Sequence, residues 1–257
     1  MTSRIEKGLG RRLPLAALFR GATLSSLAAA IRSAPAASVA PPLVPLREDG
    51  AGRPLFWFHA LDGRTLCYVE LARRLSGRPL YGLESEGNGS GGASLEDLAA
   101  RYAEAIAGAQ PSGPYLLAGW SFGGILAWET ARRLEELGRE VGLLVLLDSR
   151  PPDPESAPPS LDGAVLDADL RATIEGHLQA LHSYRPRPLA CPVALFLAQD
   201  RPDGKTADTA ALWRPLAGGG LSVETVPGDH FSLLREPAAE TLAERLREAL
   251  ANVWGQR

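Results

Sequence analysis

The sequence of 257 residues lacks the features that mark several specialised classes of protein. It has only two cysteines, Cys67 and Cys191, which lie far apart without a second pair of ligands nearby, so neither a zinc site nor a disulfide framework is indicated. We expect both to be small core residues. The formal net charge of −3 leaves no excess of positive charge to hold a polyanion, so nucleic acid is not an expected partner.

The chain also lacks the composition of a membrane or exported protein. With 45% hydrophobic residues it is too polar for a bundle of membrane spans, and no membrane is expected as a partner. Residues 1–42 combine basic residues with short apolar runs and could be read as an export signal ending near "ASVA". However, Arg20 interrupts the apolar run, and Ser25 and Ser26 dilute the residues after it, so a continuous apolar core is missing. We therefore expect a cytoplasmic protein.

From residue 53 onward the sequence alternates between short apolar runs and amphipathic segments. This pattern predicts a mostly parallel sheet with helices on both faces, an α/β fold. The expected strands lie within 54–59, 79–85, 114–121, 141–149, 191–200 and 221–229, and the expected helices within 65–76, 94–108, 124–137, 167–184 and 237–254. Ser94 with Asp97 predicts a capping box, and Gly138 predicts the end of the third helix.

The segment "GWSFG", residues 119–123, lies between an expected strand and an expected helix. A serine in a sharp turn at this point would have an exposed Oγ, and Gly119 and Gly123 would avoid collisions where strand and helix approach closely. Ser121 is therefore a candidate nucleophile. Since serine alone is weak, it requires a base and an acid, which this type of turn finds in the chain order Ser, Asp or Glu, His.

Position in the sequence selects the base among four histidines. His230 lies in a loop after the last expected strand, where a parallel sheet can present it beside the nucleophile. His177 and His182 fall on an expected helix and are interpreted as surface or groove residues. His59 ends the first strand and could shape the site, but as a base it would break the expected order. Asp229 is interpreted as a turn residue.

Two aspartates are candidates for the acid. Asp148 ends the strand that follows the nucleophile helix, and Asp200 ends the next strand. Either strand end could bring a carboxylate to the imidazole of His230. The spacing of the residues does not choose between them.

Four segments together resemble the type I thioesterase domains that end nonribosomal peptide and polyketide synthases, over roughly residues 53–254. They are "PLFWFHALDG", "YLLAGWSFGG", "LLVLLDSRPP" and "PGDHFSLL". The resemblance implies an α/β-hydrolase fold, a role in secondary-metabolite biosynthesis, and a triad of Ser121, Asp148 and His230. Residues 3–31 are similar to the C-terminal half of an acyl or peptidyl carrier domain, without its phosphopantetheine-bearing serine. We therefore expect a carrier remnant over 1–34, a linker over 35–52 and a thioesterase domain over 53–257, with a lid at about 150–190.

The same resemblance implies how the oxyanion of a reacting thioester would be held. The backbone N–H of Phe122 follows the nucleophile and is one expected donor. By the family's pattern Leu61 supplies the other. The sequence "HALDG" replaces a more usual proline and paired glycines, so Asp62 adds a carboxylate near the mouth of the site. No metal and no bound cofactor is expected, because phosphopantetheine would belong to the carrier partner.

The segment between the acid and the next strand is short for such a domain, with 42 residues from Ser149 to Ala190. A reduced lid implies an open acyl channel. It favours hydrolysis over cyclisation, since a cyclising site must keep water from the acyl ester. Other readings remain open: a stand-alone editing thioesterase that clears stalled carriers, a non-catalytic carrier-docking module, and an ordinary small-ester lipase or esterase.

Overall fold

The computed structural model of the chain describes residues 23, 25, 28, 29, 32, 42–85, 93–153, 155, 161, 164–200 and 206–255. The described residues before 42 include Ser25, Ala28, Ala29 and Arg32, which are helical. The rest of the carrier-like segment 1–34, and the expected linker up to residue 41, lie outside the described residues. Their boundaries stay predictions.

From residue 42 onward the described chain forms seven strands and six α-helices, one of which is preceded by a 3-10 turn at Leu66–Tyr68. The strands are β1 (Leu43–Arg47), β2 (Leu55–Phe58), β3 (Leu80–Leu83), β4 (Tyr115–Trp120), β5 (Val141–Leu147), β6 (Val193–Ala198) and β7 (Leu221–Val226). The helices are α1 (Val69–Arg74), α2 (Leu95–Ala109), α3 (Phe122–Glu136), α4 (Ala168–Ser183), α5 (Thr206–Trp213) and α6 (Ala238–Gly255). None of the helices in this part of the chain has the length and apolar character needed to span a membrane.

The seven strands form one sheet in the order β1-β3-β2-β4-β5-β6-β7. Strand β1 runs antiparallel to β3, and every other neighbouring pair is parallel. Parallel strands end at the same edge of a sheet, so the loops after β2, β4, β5 and β7 meet there. The expected α/β fold with a mostly parallel sheet is confirmed.

Two elements were missed by the sequence analysis. Residues 43–47, inside the expected linker, form the edge strand β1, in which Leu43 pairs with Leu83. Proline has no N–H to donate, but the edge of a sheet tolerates it, so the composition around Pro45 did not exclude a strand. Helix α5 was also not expected, because its eight residues carry little amphipathic pattern.

The apolar runs of the strands are explained by a core on each face of the sheet. All four residues of β2 are fully buried. Phe56 and Phe58 pack with α2 and α3, whereas Leu55 and Trp57 pack with α1 and α6. Because both faces of the sheet are covered, the residues of this strand that point to either face are apolar, as in buried parallel sheets.

The expected helix ends are confirmed. The Ser94 hydroxyl accepts a hydrogen bond from the Asp97 N–H at 3.1 Å, and the Asp97 carboxylate accepts one from the Ser94 N–H at 3.1 Å, which completes a capping box. After α3, Gly138 has φ +69°. Its N–H donates to the Glu135 carbonyl at 2.9 Å, and the Arg139 N–H donates to Leu134 at 2.9 Å, the pattern of a Schellman motif.

The two cysteines are free thiols among apolar residues. Cys191 is 4% exposed and belongs to the core on the α2 and α3 face, as expected. Cys67 is only partly buried and packs against the opposite core. Burial raises the pKa of both thiols, so neither is a ready thiolate at neutral pH.

A buried ionic cluster joins α3 to the residue that follows α4. Glu129 is fully buried and accepts hydrogen bonds from Arg132 Nε at 2.8 Å and from the Tyr184 hydroxyl at 2.9 Å. Arg132 is itself only 5% exposed and also pairs with Glu136. Removing the carboxylate of Glu129 would leave the buried guanidinium of Arg132 with less negative charge to balance it.

We therefore expect Glu129→Ala to lower the free energy of unfolding by about 3–5 kcal/mol, as breaking a buried ion pair does. The exposed Glu104 on α2 offers a matched control, and Glu104→Ala should change it by no more than about 0.5 kcal/mol. Urea unfolding followed by circular dichroism measures both. Equal stabilities of the two variants would show that the cluster does not hold α4 to α3 in this way.

Candidate active site

Ser121 occupies a strained turn between β4 and α3. Its φ is 55° and its ψ is −121°, in the region that favours glycine and costs a serine energy. The turn is fixed on both sides by hydrogen bonds. The Ser121 N–H donates to the Leu147 carbonyl at 3.0 Å, and the Gly124 N–H donates to the Ser121 carbonyl at 3.1 Å. This geometry keeps the Ser121 hydroxyl at the carboxyl edge of the sheet.

The two glycines around Ser121 are required by close packing, as the sequence analysis expected. A Cβ at Gly119 would lie 2.2 Å from the carbonyl carbon of Gly123. A Cβ at Gly123 would lie 2.4 Å from the Phe58 carbonyl oxygen. These atoms belong to the backbone and cannot move away, so the strand and helix can meet at this distance only with glycine at both positions.

His230 lies in the loop after β7 and faces Ser121. Its Nε2 is 3.1 Å from the Ser121 Oγ, within hydrogen-bond distance. Its ring packs against Trp120 with the centroids 4.8 Å apart, and the Trp120 Nε1–H donates to the His230 carbonyl at 2.9 Å. Trp120 was not among the predicted site residues, although it is an aromatic residue directly before the nucleophile.

Asp229 holds the turn beside His230, as expected for a turn residue. Its carboxylate accepts hydrogen bonds from the N–H groups of Phe231 at 2.9 Å and Ser232 at 2.8 Å. These bonds lower the pKa of Asp229, since they stabilise its charged form. The loop therefore presents the imidazole from a fixed backbone.

The structure brings Asp148 to the imidazole. Asp148 Oδ2 lies 2.7 Å from His230 Nδ1, and Oδ1 accepts a hydrogen bond from the Ala198 N–H at 3.0 Å. The side chain is buried, and the residue has a φ of 45° at the end of β5. Asp200, the other candidate, is exposed, and its N–H donates to the Gly228 carbonyl at 3.0 Å. Of these two candidates, Asp148 is the carboxylate with a hydrogen bond to His230.

The three side chains form one line of hydrogen bonds with a defined direction. A carboxylate can only accept, so Nδ1 of His230 carries the proton donated to Asp148. Nε2 is then the unprotonated nitrogen and can accept the proton of the Ser121 hydroxyl. The arrangement can generate a nucleophilic serine oxygen and stabilise the imidazolium that results.

The two expected oxyanion donors belong to the turn after β2 and to the first residue of α3. Phe122 is the first residue of α3, and Leu61 lies in a turn closed by a 3.0 Å hydrogen bond from Gly63 N–H to the Ala60 carbonyl. Within the described residues, the N–H groups of Leu61 and Phe122 donate to no other group of the protein. Asp62, in the same turn, is exposed and accepts from the Arg64 N–H at 3.0 Å.

The histidines of α4 differ in environment. His182 is exposed, in line with the expectation, whereas His177 is 1% exposed and its ring packs against Phe122 and His59. The signal for its burial was helical spacing, since Thr173, His177 and Ala180 fall on one buried face of α4. His59 is also fully buried, with Nδ1 donating to the Ala60 carbonyl at 2.7 Å and Nε2 accepting from the Tyr102 hydroxyl at 2.8 Å.

Comparison with known sequences finds a family match over strands β2 to β5, which includes the nucleophile turn. Residues 53–175 match the family described as Thioesterase domain. The chain is 30% identical to a dimodular nonribosomal peptide synthase of Bacillus subtilis over 299 aligned residues, which cover 96% of the chain and 13% of that protein. It is 40% identical to the polyketide synthase PksR of Bacillus subtilis over 112 residues, 42% of the chain and 4% of that protein. The chain thus spans only a small part of these relatives' length.

Comparison with solved structures gives the same family. The NocB thioesterase domain from the nocardicin cluster has 27% sequence identity and a TM-score of 0.68, with 82% of this chain and all of that chain covered. A covalent complex of that domain with a fluorophosphonate nocardicin G analogue gives 29% identity and a TM-score of 0.67 over 81% of this chain and 99% of that one. A four-domain nonribosomal peptide synthetase, holo-AB3403, gives 26% identity and a TM-score of 0.76 over 96% of this chain and 23% of that one.

The geometry predicts that a fluorophosphonate will react with Ser121 and that the rate of this reaction will depend on Asp148. Asp148→Asn should slow this labelling about 100-fold or more, because an amide can donate to Nδ1 and favour the wrong tautomer of His230. Intact-protein mass spectrometry over time measures the rate. Asp200→Asn is the matched control and should label like the wild type; the reverse order would make Asp200 the functional carboxylate.

Proposed function

The chain belongs to the thioesterase-domain family found in nonribosomal peptide and polyketide synthases, and from this premise we propose that it releases an acyl or peptidyl chain from a phosphopantetheine carrier. The observation that carries the proposal is the line of hydrogen bonds from Ser121 through His230 to Asp148 at the carboxyl edge of the sheet. In this proposal Ser121 is the nucleophile, His230 is the base and acid, and Asp148 orients and stabilises the imidazolium.

The first half of the reaction transfers the chain to the enzyme. Ser121 Oγ attacks the thioester carbonyl while His230 Nε2, 3.1 Å away, takes the hydroxyl proton. The carbonyl oxygen gains negative charge, which the N–H groups of Phe122 and Leu61 would stabilise. As the tetrahedral intermediate collapses, the C–S bond breaks and His230 returns the proton to the leaving sulfur. The products are a neutral pantetheine thiol and an acyl ester on Ser121.

The second half frees the chain and restores the serine. A water molecule, or a nucleophile within the chain, loses its proton to His230 and attacks the ester carbonyl. The bond between the carbonyl carbon and Ser121 Oγ then breaks, and His230 protonates that oxygen. The product is an acid if water attacks and a ring if the chain attacks itself.

We favour hydrolysis because the segment proposed as the lid, residues 150–190, is small. Between β5 and β6 the described residues form one helix, α4, over Ala168–Ser183. Residues 154, 156–160, 162 and 163 of this segment lie outside the described residues. A cover built around one helix leaves the acyl ester open to water, whereas ring closure requires water to be kept out.

The partner in this proposal is an acyl or peptidyl carrier domain, which brings its own phosphopantetheine, so the chain itself needs no cofactor. Two matches support a carrier partner. The dimodular synthase and the four-domain synthetase are each similar to 96% of this chain. The NocB thioesterase domain is similar to only 82% of it. The similarity of residues 3–31 to a carrier domain agrees with this difference in coverage.

Intact-protein mass spectrometry tests the proposed function. We mix the wild type with a panel of acyl-pantetheine thioesters and expect a mass gain of one acyl group, followed by its loss as free acid. Ser121→Ala should gain no mass, and Ser222→Ala, which removes an exposed hydroxyl on β7, should behave like the wild type.

Other outcomes distinguish the alternatives. A ring as the main product would overturn the hydrolytic mode but not the acyl-enzyme. Release of only short acyl groups, without selectivity, would indicate an editing enzyme, and a preference for oxygen esters would indicate an esterase. No adduct and no turnover in any variant would contradict catalysis and leave a carrier-docking module.

A further inference from the structure

The lid helix α4 is bonded to the loop that carries one of the proposed oxyanion donors. His177 Nδ1 lies 2.8 Å from the Leu61 carbonyl oxygen. Because a carbonyl only accepts, the His177 ring carries its proton on Nδ1 and donates it to Leu61. The Leu61 carbonyl and the Leu61 N–H belong to the same residue in a tight turn. A bond that holds the carbonyl therefore limits the direction in which the N–H can point.

The same ring is packed against the other proposed donor residue. The centroids of His177 and Phe122 are 5.0 Å apart with an interplanar angle of 24°, and those of His177 and His59 are 4.9 Å apart at 29°. Phe122 is the first residue of α3, directly after the nucleophile. A contact that holds its ring therefore also restrains its backbone N–H. His177 thus contacts both residues whose amides would hold the oxyanion.

The loop packs closely against α4. Gly63 has φ +76°, and a Cβ there would lie 2.9 Å from the Ser85 Cβ, 3.3 Å from the Thr173 methyl and 3.7 Å from His177 Cε1. The loop backbone is therefore seated directly on the buried face of α4. A shift of the helix would therefore be transmitted to Leu61 through the buried side chains of Thr173 and His177.

The ring of His177 is neutral in this position. The residue is 1% exposed, and its Nε2 has no hydrogen-bond partner among the described residues. Burial lowers the pKa of His177, and burial with the nearby His177 lowers the pKa of His59 to about 3. A neutral ring with one N–H has its donor already used by Leu61, so His177 has no proton to offer the reaction.

We propose that His177 is a positioning residue of the oxyanion hole, which acts through its bond to Leu61 and its stacking on Phe122. The inference rests on the proposed function, and it places part of the active site under the control of the lid: the two amides converge only while α4 is docked. The residue does not touch the substrate, so its effect falls on the barrier to acylation and not on substrate binding.

Two substitutions separate the hydrogen bond from the packing. His177→Phe keeps a ring to stack on Phe122 but leaves the Leu61 carbonyl without its donor. His177→Asn loses the ring but can place an amide N–H near the position of Nδ1. His182→Phe, on the exposed side of α4, is the matched control and should be as active as the wild type.

We expect His177→Phe to lower kcat/KM for an acyl-pantetheine thioester about 10-fold or more, and to slow fluorophosphonate labelling of Ser121 by a similar factor. His177→Asn should retain more activity than His177→Phe although it is the less stable protein on heating. A residue that only fills space would give the opposite order, with His177→Phe close to the wild type.

Each outcome decides the inference. Full activity of His177→Phe, with kcat/KM and the labelling rate both equal to those of the wild type, would overturn it while the proposed function stands. If His177→Asn does not fold, the comparison of His177→Phe with the wild type still decides. If the wild type shows no turnover that is lost in Ser121→Ala, the proposed function and this inference both fail. If that turnover is present but His177→Phe is fully active, only this inference fails.

Discussion

The structure of the site depends on the close approach of strand β4 to helix α3. At this crossing Gly119 lies against Gly123, and Gly123 lies against the carbonyl of Phe58 on the neighbouring strand, with no space for a Cβ at either position. The approach forces Ser121 into a backbone conformation that serine rarely adopts. The packing of the sheet, which is buried on both faces, compensates for the strain in the Ser121 backbone. The Ser121 hydroxyl is thereby fixed at the edge of the sheet where the other loops meet.

A second strained residue completes the site at the same edge. Asp148 also has a positive φ, and its carboxylate is bonded both to His230 and to the N–H of Ala198 on β6. The acid is therefore anchored to the sheet and not to a loop. His230 is the one member of the three on a loop, and Trp120 and the turn at Asp229 hold that loop in place. Two rigid elements and one supported loop keep the hydrogen-bond distances short.

The sequence was sufficient to predict the elements whose signals are local. The alternation of apolar runs and helical spacing predicted the parallel sheet, and "GWSFG" predicted the turn at Ser121. The choice of Asp148 over Asp200 required the resemblance to a family, because both aspartates end strands and the sequence does not state which strand lies beside β4. Trp120 and the burial of His177 were missed although each had a local signal, because an aromatic residue or helical spacing does not show which distant segment the side chain will contact. The edge strand β1 was missed because proline and alanine around it resemble a linker.

The central claim is that Ser121 carries the chain as a covalent ester, and mapping the modified residue tests it most directly. The wild type is mixed with an acyl-pantetheine thioester, quenched in acid within the first turnover, digested, and sequenced by tandem mass spectrometry. The account predicts the added acyl mass on Ser121 and nowhere else, and its absence in His230→Ala under the same conditions. An acyl group found on another side chain, such as Cys67, or full acylation of His230→Ala, would contradict it.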